Sequence, residues 1–289
     1  MRNICWGCSV ATSPRFLTKP FVALTITFLL MPLAAAWADD PALTREQMKQ
    51  FLETAAIVGT KGSDKGVTHP WRLTLSNGTI SHDASFQAID ERKNQMRHSN
   101  GQLEFNFVDS YKYNIAAYRL AELLGVEDML PVYVERKWKG QVGSLSWWLP
   151  VKMDEADRAQ KHLLAPDTDR WNKQMYRVRV FDELVYDTDA NLTNVLIGED
   201  WTIWRVDFTR AFRGIKDIHS TKNLVKCDRQ LFEKIKALRA DEVAEKTKNY
   251  LTKDEVKALM ARRDKIVAAF QNMIAQKGEA DVLYEFAGQ

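Results

Sequence analysis

Between Val185 and Phe212 the chain reads VYDTDANLTNVLIGEDWTIWRVDFTRAF, and this stretch limits the fold more than any other. NVLI and WTIWRVDF are rich in β-branched and aromatic residues and flank the turn-forming GED, which predicts a two-stranded hairpin. Polar residues crowd its entrance and exit: Asp187, Asp189, Asn191, Asn194 and Asp207. Carboxylates and amides beside buried strands need a partner or a task, because unpaired burial is costly. Asn194 follows Asp189 by five residues and precedes Asp207 by thirteen, which sets Asn194 and Asp207 at the same end of the ladder. An amide and a carboxylate converging there suit Mg²⁺ or Mn²⁺, hard ions that prefer oxygen ligands and bring phosphate with them. Asp189 is placed to take a proton from an attacking hydroxyl. The blander alternative makes Asp187, Asp189 and Asn191 turn formers and Asn194 a strand-edge cap.

The 289 residues suffice for one two-lobed domain or two modest ones. Residues 1–38 read as a secretory leader: Arg2, Arg15 and Lys19 precede the apolar run FVALTITFLLMPLAAAWA, and Ala36-Trp37-Ala38 fits a cleavage site after Ala38. Pro32 and the shortness of the run favour cleavage over a retained anchor, so no stable membrane span is expected afterwards and the protein is expected in a periplasm or outside the cell. The leader holds three of the 41 basic residues and none of the 38 acidic ones, leaving 38 of each sign beyond it. That balance gives no support for a nucleic-acid partner. Cys5 and Cys8 lie in the leader, so Cys227 alone remains and neither a disulfide framework nor a cysteine metal site is expected. The five histidines lack metalloprotease spacing, and no serine sits in G-x-S-x-G.

Elsewhere the pattern predicts a helix over 39–56 with Thr44 as N-cap, then strands around Asn77-Gly78. A second helix is expected to close at Gly125, with two strands around Lys139-Gly140 after it. A long C-terminal helix should open with a Thr252-x-x-Glu255 capping box and carry the stripe Val256, Leu259, Ile266, Phe270 and Ile274. The layout is α+β: a β-rich lobe over 57–149 and a mainly helical lobe over 150–289 that holds one hairpin.

YDTDANLTNVLI followed by WRVDFTRAF resembles the catalytic segment of atypical protein kinases, namely the HipA-like, phosphatidylinositol 3/4-kinase-like and secretory-pathway groups. YKYNIAAYRLAELLGVEDMLPVYV resembles their helix-and-strand segment, and the likeness extends over roughly 57–275. The resemblance implies a two-lobed kinase-like fold and an ATP- or other nucleotide-dependent phosphotransferase using Mg²⁺ or Mn²⁺, with Asp189 as base and Asn194 and Asp207 as metal ligands. It sets Asn191 where protein kinases keep a phosphate-contacting lysine, and leaves Asp187 out of register. The acceptor it implies is a protein, a lipid or a small molecule.

GTKGSDKG, with Gly59, Gly62 and Gly66, reads either as a phosphate-covering loop or as a plain flexible one. Against the resemblance, Gln87 stands where relatives keep a phosphate-gripping lysine, and Asn114 where they often show its glutamate partner. A paired loss is coherent, since either charge alone would be costly when buried. Three readings stay open. The cation is Lys61, Lys65 or Arg72; it has moved to Arg210 or Arg213; or the domain is a catalytically silent nucleotide- or partner-binding module.

Overall fold

The computed structural model describes residues 43–62, 70–97 and 101–286; the expected leader and cleavage point, Gly66 and Lys65 lie outside them. Helix α1 (Arg45–Thr54) opens with a capping box, in which the Thr44 hydroxyl accepts from the Gln47 N–H and the Gln47 side chain accepts from the Thr44 N–H. It is shorter than the helix expected over 39–56. Strands β1 (Ala56–Gly62), β2 (Trp71–Ser76) and β3 (Ser81–Gln87) follow. Next come a hairpin of β4 (Asp90–Arg97) and β5 (Leu103–Ser110), helix α2 (Tyr111–Leu124), and strands β6 (Tyr133–Trp138) and β7 (Gln141–Trp147). Both hairpins read from sequence form. The two-residue turn expected at Asn77-Gly78 is instead a four-residue loop, since Ser76 pairs with Ser81 and the Asn77 side chain accepts from the Thr79 and Ile80 N–H groups, whereas Lys139 and Gly140 have φ +47° and +83°, the double positive φ of a two-residue hairpin turn.

Strands β1, β2, β3, β7 and β6 lie side by side in that order, every pair antiparallel. Side chains alternate across the sheet. Leu73, Leu75, Ala84, Phe86 and Leu145 share the apolar face, where Trp147 meets Phe51 of α1 at 5.8 Å between ring centroids. Thr74, Asp83, Ser85, Gln87, Ser144 and Ser146 share the opposite, polar face, and Gln87 and Ser144 of that face bond to α2.

The second part is mainly helical: β8 (Val151–Asp154), α3 (Glu155–Gln160), α4 (Thr168–Val185), β9 (Val195–Gly198), β10 (Ile203–Arg205), β11 (Cys227–Asp228), α5 (Arg229–Ala237), α6 (Ala240–Lys246), α7 (Lys253–Lys277), α8 (Glu279–Val282) and β12 (Leu283–Tyr284). The predicted hairpin forms as β9–β10, and β8 joins it as a third strand that the sequence pattern did not show. Helix α7 begins with the expected Thr252–Glu255 capping box and buries Val256, Leu259, Ile266 and Phe270. Each such apolar side chain contributes roughly 1.5–3 kcal/mol on burial. Among the described residues no helix is long and apolar enough to cross a membrane.

Two ties join the parts. Helix α2 is bonded to the helical part along its length. Tyr113 donates its hydroxyl to Glu255 of α7, Arg119 donates to the Lys246 carbonyl at 3.1 Å, and Glu122 pairs with Lys246 at 2.9 Å. The β4–β5 ribbon, whose β4 strand is almost wholly exposed, is pinned at Glu104 by Arg210 and Arg213 together.

Candidate active site

The hairpin ladder carries Asn194 and Asp207 to one end. Arg205 pairs with Val195, and the next N–H, of Val206, donates to the Asn194 carbonyl at 3.0 Å. Asp189 closes the third side: its carbonyl accepts from Asn194 Nδ2 at 3.2 Å and from Asn191 Nδ2 at 3.2 Å. Asn191 also reaches the Asp189 carboxylate at 3.3 Å, so its amide orients that carboxylate. Asp207 has φ +60°, a left-handed conformation that a non-glycine residue adopts only under surrounding constraint. The constraint is visible. Tyr133 of β6 bonds to the Asp207 backbone, and the Phe208 N–H donates to Asn114 Oδ1 at 2.7 Å.

Asp187, read from sequence as a turn former, does more. It is 3% exposed, forms an ion pair with Arg205, and accepts from the Asp189 N–H at 2.9 Å. Arg205, 1% exposed, also pairs with Asp182 at 3.1 Å and donates to the carbonyls of Val206 and Asp207. One guanidinium therefore sets both the Asp189 loop and the Asp207 backbone. Two carboxylates share this cation, and burial pushes Asp182 up to about 7 although Arg205 opposes the rise.

Asp109, at the end of β5, is a further carboxylate of the site. Burial raises it and the charge of Asp207 adds to the rise, while its Oδ1 is buried without a hydrogen-bond partner. The Thr209 hydroxyl serves Asp109 and lies 3.1 Å from Asp207 Oδ1, and its single proton can satisfy only one of them at a time. Burial also raises Asp207, against Thr209 and Arg205, and the Asp189 charge adds to the rise. The sequence signal for Asp109 was a carboxylate directly before the Ser110 N-cap of α2, which pointed equally to capping.

A divalent cation fits this donor set. Asn194 spends its amide nitrogen on Asp189, so ligation would fall to Oδ1, and burial raises the Asp207 and Asp109 carboxyls although Arg205 and Arg210 oppose the rise. Among the described residues no three His, Cys, Asp or Glu side chains converge on one point, so a cation held by Asn194 and Asp207 would need further oxygens from phosphate and water.

The cationic end differs from a charged kinase pair. Gln87 and Asn114 do meet, and Asn114 Nδ2 donates to Gln87 Oε1 at 2.7 Å and to Ser144 Oγ at 3.3 Å. Gly143 lets β7 approach there, since a Cβ on it would overlap the Gln87 carbonyl. Three of the proposed stand-ins are committed elsewhere. Arg72 pairs with Asp83 and lies over Trp148 at 4.3 Å, Arg210 pairs with Glu104 over Phe107 at 4.5 Å, and Arg213 joins Glu104 at 3.0 Å. Gly59 and Gly62 belong to strand β1, opposite Thr74 and Trp71, where a loop over phosphate was expected; the chain needs a small residue at Gly59 because a Cβ would press on Thr74 at 3.3 Å.

The fold is similar to those of solved kinases. Hydra Fam20, solved with a sugar, superposes with a TM-score of 0.58 at 14% identity, covering 85% of this chain and 93% of that one. The Golgi casein kinase gives 0.57 at 14% identity over 83% of this chain and 77% of its own. A second structure of the Golgi casein kinase, holding Mn and ADP, gives 0.55 at 13% identity over 84% and 80%. The fold is atypical kinase-like. No family model matches the sequence, and no curated protein matches it. At such identities the likeness establishes the kinase-like fold, and the chemistry rests on the residues above.

Proposed function

We propose that the protein is a phosphotransferase that moves a phosphoryl group from a divalent-metal nucleotide, ATP or a relative, to an acceptor hydroxyl. The carrying observation is the meeting of Asn194, left-handed Asp207 and Asp189 at one end of the β9–β10 hairpin. Asn194 Oδ1 and the Asp207 carboxylate would hold Mg²⁺ or Mn²⁺, which when bound neutralises phosphate charge and orients the transferred group. Asp189, exposed and steered by Asn191, accepts the acceptor's proton on its carboxylate. Asp187 and Arg205 keep that carboxylate and the Asp207 backbone in register. The leader reading supports work in a periplasm or outside the cell, and the even charge balance beyond the leader supports a protein, lipid or small-molecule acceptor over nucleic acid. The test compares Mn²⁺-nucleotide binding and turnover of the wild type with Asp207→Ala; equal behaviour sinks the proposal.

The uncharged Gln87–Asn114 contact favours a second reading, a nucleotide- or partner-binding module without turnover. Phosphoryl transfer to any acceptor, abolished by Asp189→Asn, would retire it.

A further inference from the structure

The rim around the Asp189 loop is apolar and cationic at once. Leu192, in the same loop, is 49% exposed, and α3 packs against the turn Leu192–Asn194. After α3 the chain reads KHLL, where Leu164 is 84% exposed and Lys161 and His162 stand open to solvent beside it. On the other side the Thr188 hydroxyl donates to the Arg210 carbonyl at 3.0 Å. Arg210 pairs with Glu104 of β5, between exposed Leu103 and Phe105, and Phe105 keeps 66% of its surface in water. Arg213 donates to the Phe105 carbonyl at 3.3 Å, and beyond it Ile215 is 45% exposed, followed by exposed Lys216 and Lys222.

The backbones behind these side chains are fixed. Buried Arg262 donates to the Ile215 carbonyl, buried Glu183 accepts from the His219 N–H at 2.7 Å, and Arg158 donates to the Leu163 carbonyl. Several neighbouring carboxylates are already engaged: Asp169 with Lys173 at 2.7 Å, Asp217 with Lys265 at 2.8 Å, and Glu104 with Arg210 and Arg213. Among the described residues no ion pair engages Lys161, Lys216 or Lys222.

We infer that this rim is a membrane-docking surface, which seats the face around Asp189 on a bilayer of anionic lipid. Leucine and phenylalanine on projecting segments enter the boundary between headgroups and acyl chains, and the lysines beside them bind lipid phosphates. A peptide needs a groove or a strand edge to lie along, whereas Leu164 and Phe105 stand out as separate tips with most of their surface in water. A fluid bilayer takes tips from three segments without any groove. The uncommitted positive charge sets the preference for anionic over neutral lipid. Docked in this way, the Asp189 carboxylate faces the headgroup layer. The surface does not depend on phosphoryl transfer.

The experiment follows hydrogen exchange of the full chain, peptide by peptide, as vesicles are added: phosphatidylcholine alone, or its equimolar mixture with phosphatidylglycerol. The readout is local, so attachment through residues 1–38 is read apart from the rim. With the mixed vesicles, exchange should slow in peptides covering 101–107, 159–166 and 213–218; with phosphatidylcholine alone it should not. In Leu164→Ser/Phe105→Ser the lipid concentration that half-protects the 213–218 peptide should rise at least about tenfold. Lys161→Gln/Lys222→Gln should raise it by roughly tenfold as well. Val58→Ser, at a similarly exposed apolar position on β1, should leave it unchanged. Absence of protection on mixed vesicles, equal protection on phosphatidylcholine alone, double variants that bind as the wild type does, or an equal loss in Val58→Ser each overturns the inference. Protection of the same peptides by polyglutamate and not by vesicles would make the rim an acidic-peptide site and overturn it too. None of these results bears on the comparison of wild type with Asp207→Ala, which tests phosphoryl transfer separately.

Discussion

Arg205→Met isolates what the buried guanidinium does. Methionine fills much of the volume and abolishes the charge, so the change exposes the electrostatic role and little of the packing. In the wild type Asp187, buried to 3%, has Arg205 as its ion-pair partner and the Asp189 N–H as a hydrogen-bond donor. Removing the cation strands a buried carboxylate, which costs about 3–5 kcal/mol. Asp182 loses less because its side chain keeps 18% of its surface in water. For a chain of this size, a loss of ~4 kcal/mol lowers Tm by roughly 8–16 °C. Urea denaturation followed by tryptophan fluorescence measures the loss. Adding Asp187→Asn, which removes the stranded charge and keeps an acceptor for the Asp189 N–H, should recover about half of it. The reasoning is refuted if Arg205→Met costs under about 1 kcal/mol, or if Asp187→Asn recovers nothing in that background.

Further outcomes follow from the same geometry. Because the Asp182 carboxyl is raised to about 7 in the folded chain, above its unfolded value, its contribution to stability is full below the unfolded pKa and disappears as pH rises through about 7; Asp182→Asn should flatten the difference in urea midpoint between pH 5 and pH 8, and an unchanged difference would contradict the assignment. Gly143→Ala should cost about 1–3 kcal/mol in chemical denaturation, because its Cβ must displace the Gln87 carbonyl, and a neutral result would mean that β3 and β7 are less closely apposed than they stand. Asp189→Asn should lower turnover by roughly 10²–10⁴-fold with Mn²⁺-ADP affinity retained, since its proposed work is proton transfer; parallel loss of binding would move Asp189 among the ligands.

The hairpin and the convergence of Asn194 with Asp207 were legible because both are local: strand propensity, a turn and residue spacing decide them. Asn114 and Gln87 were recognisable as partners through resemblance, 27 residues apart and 2.7 Å from one another. What escaped was set by pairing across distance. Asp187 carries the composition of a turn former, and nothing local announces that a guanidinium 18 residues later will bury it. The β4–β5 ribbon was invisible for the opposite reason. DERKNQMR is polar on both faces and lacks β-branched residues, so the strand forms through its ladder with β5 and through the Glu104 anchor.

Helix α2 reaches both halves of the molecule. Bonded to α6 and α7 through Tyr113, Arg119 and Glu122, it is a strut anchored at both ends, with Asn114 on its inner side. A helix that could swing outward would switch the site on and off by making and breaking the link to β3 and Phe208. For this one to swing, the buried Tyr113–Glu255 bond and the two contacts of Arg119 and Glu122 with Lys246 would have to break. The link from Asn114 to Gln87 and Phe208 is therefore held from the helical part as well as from the sheet.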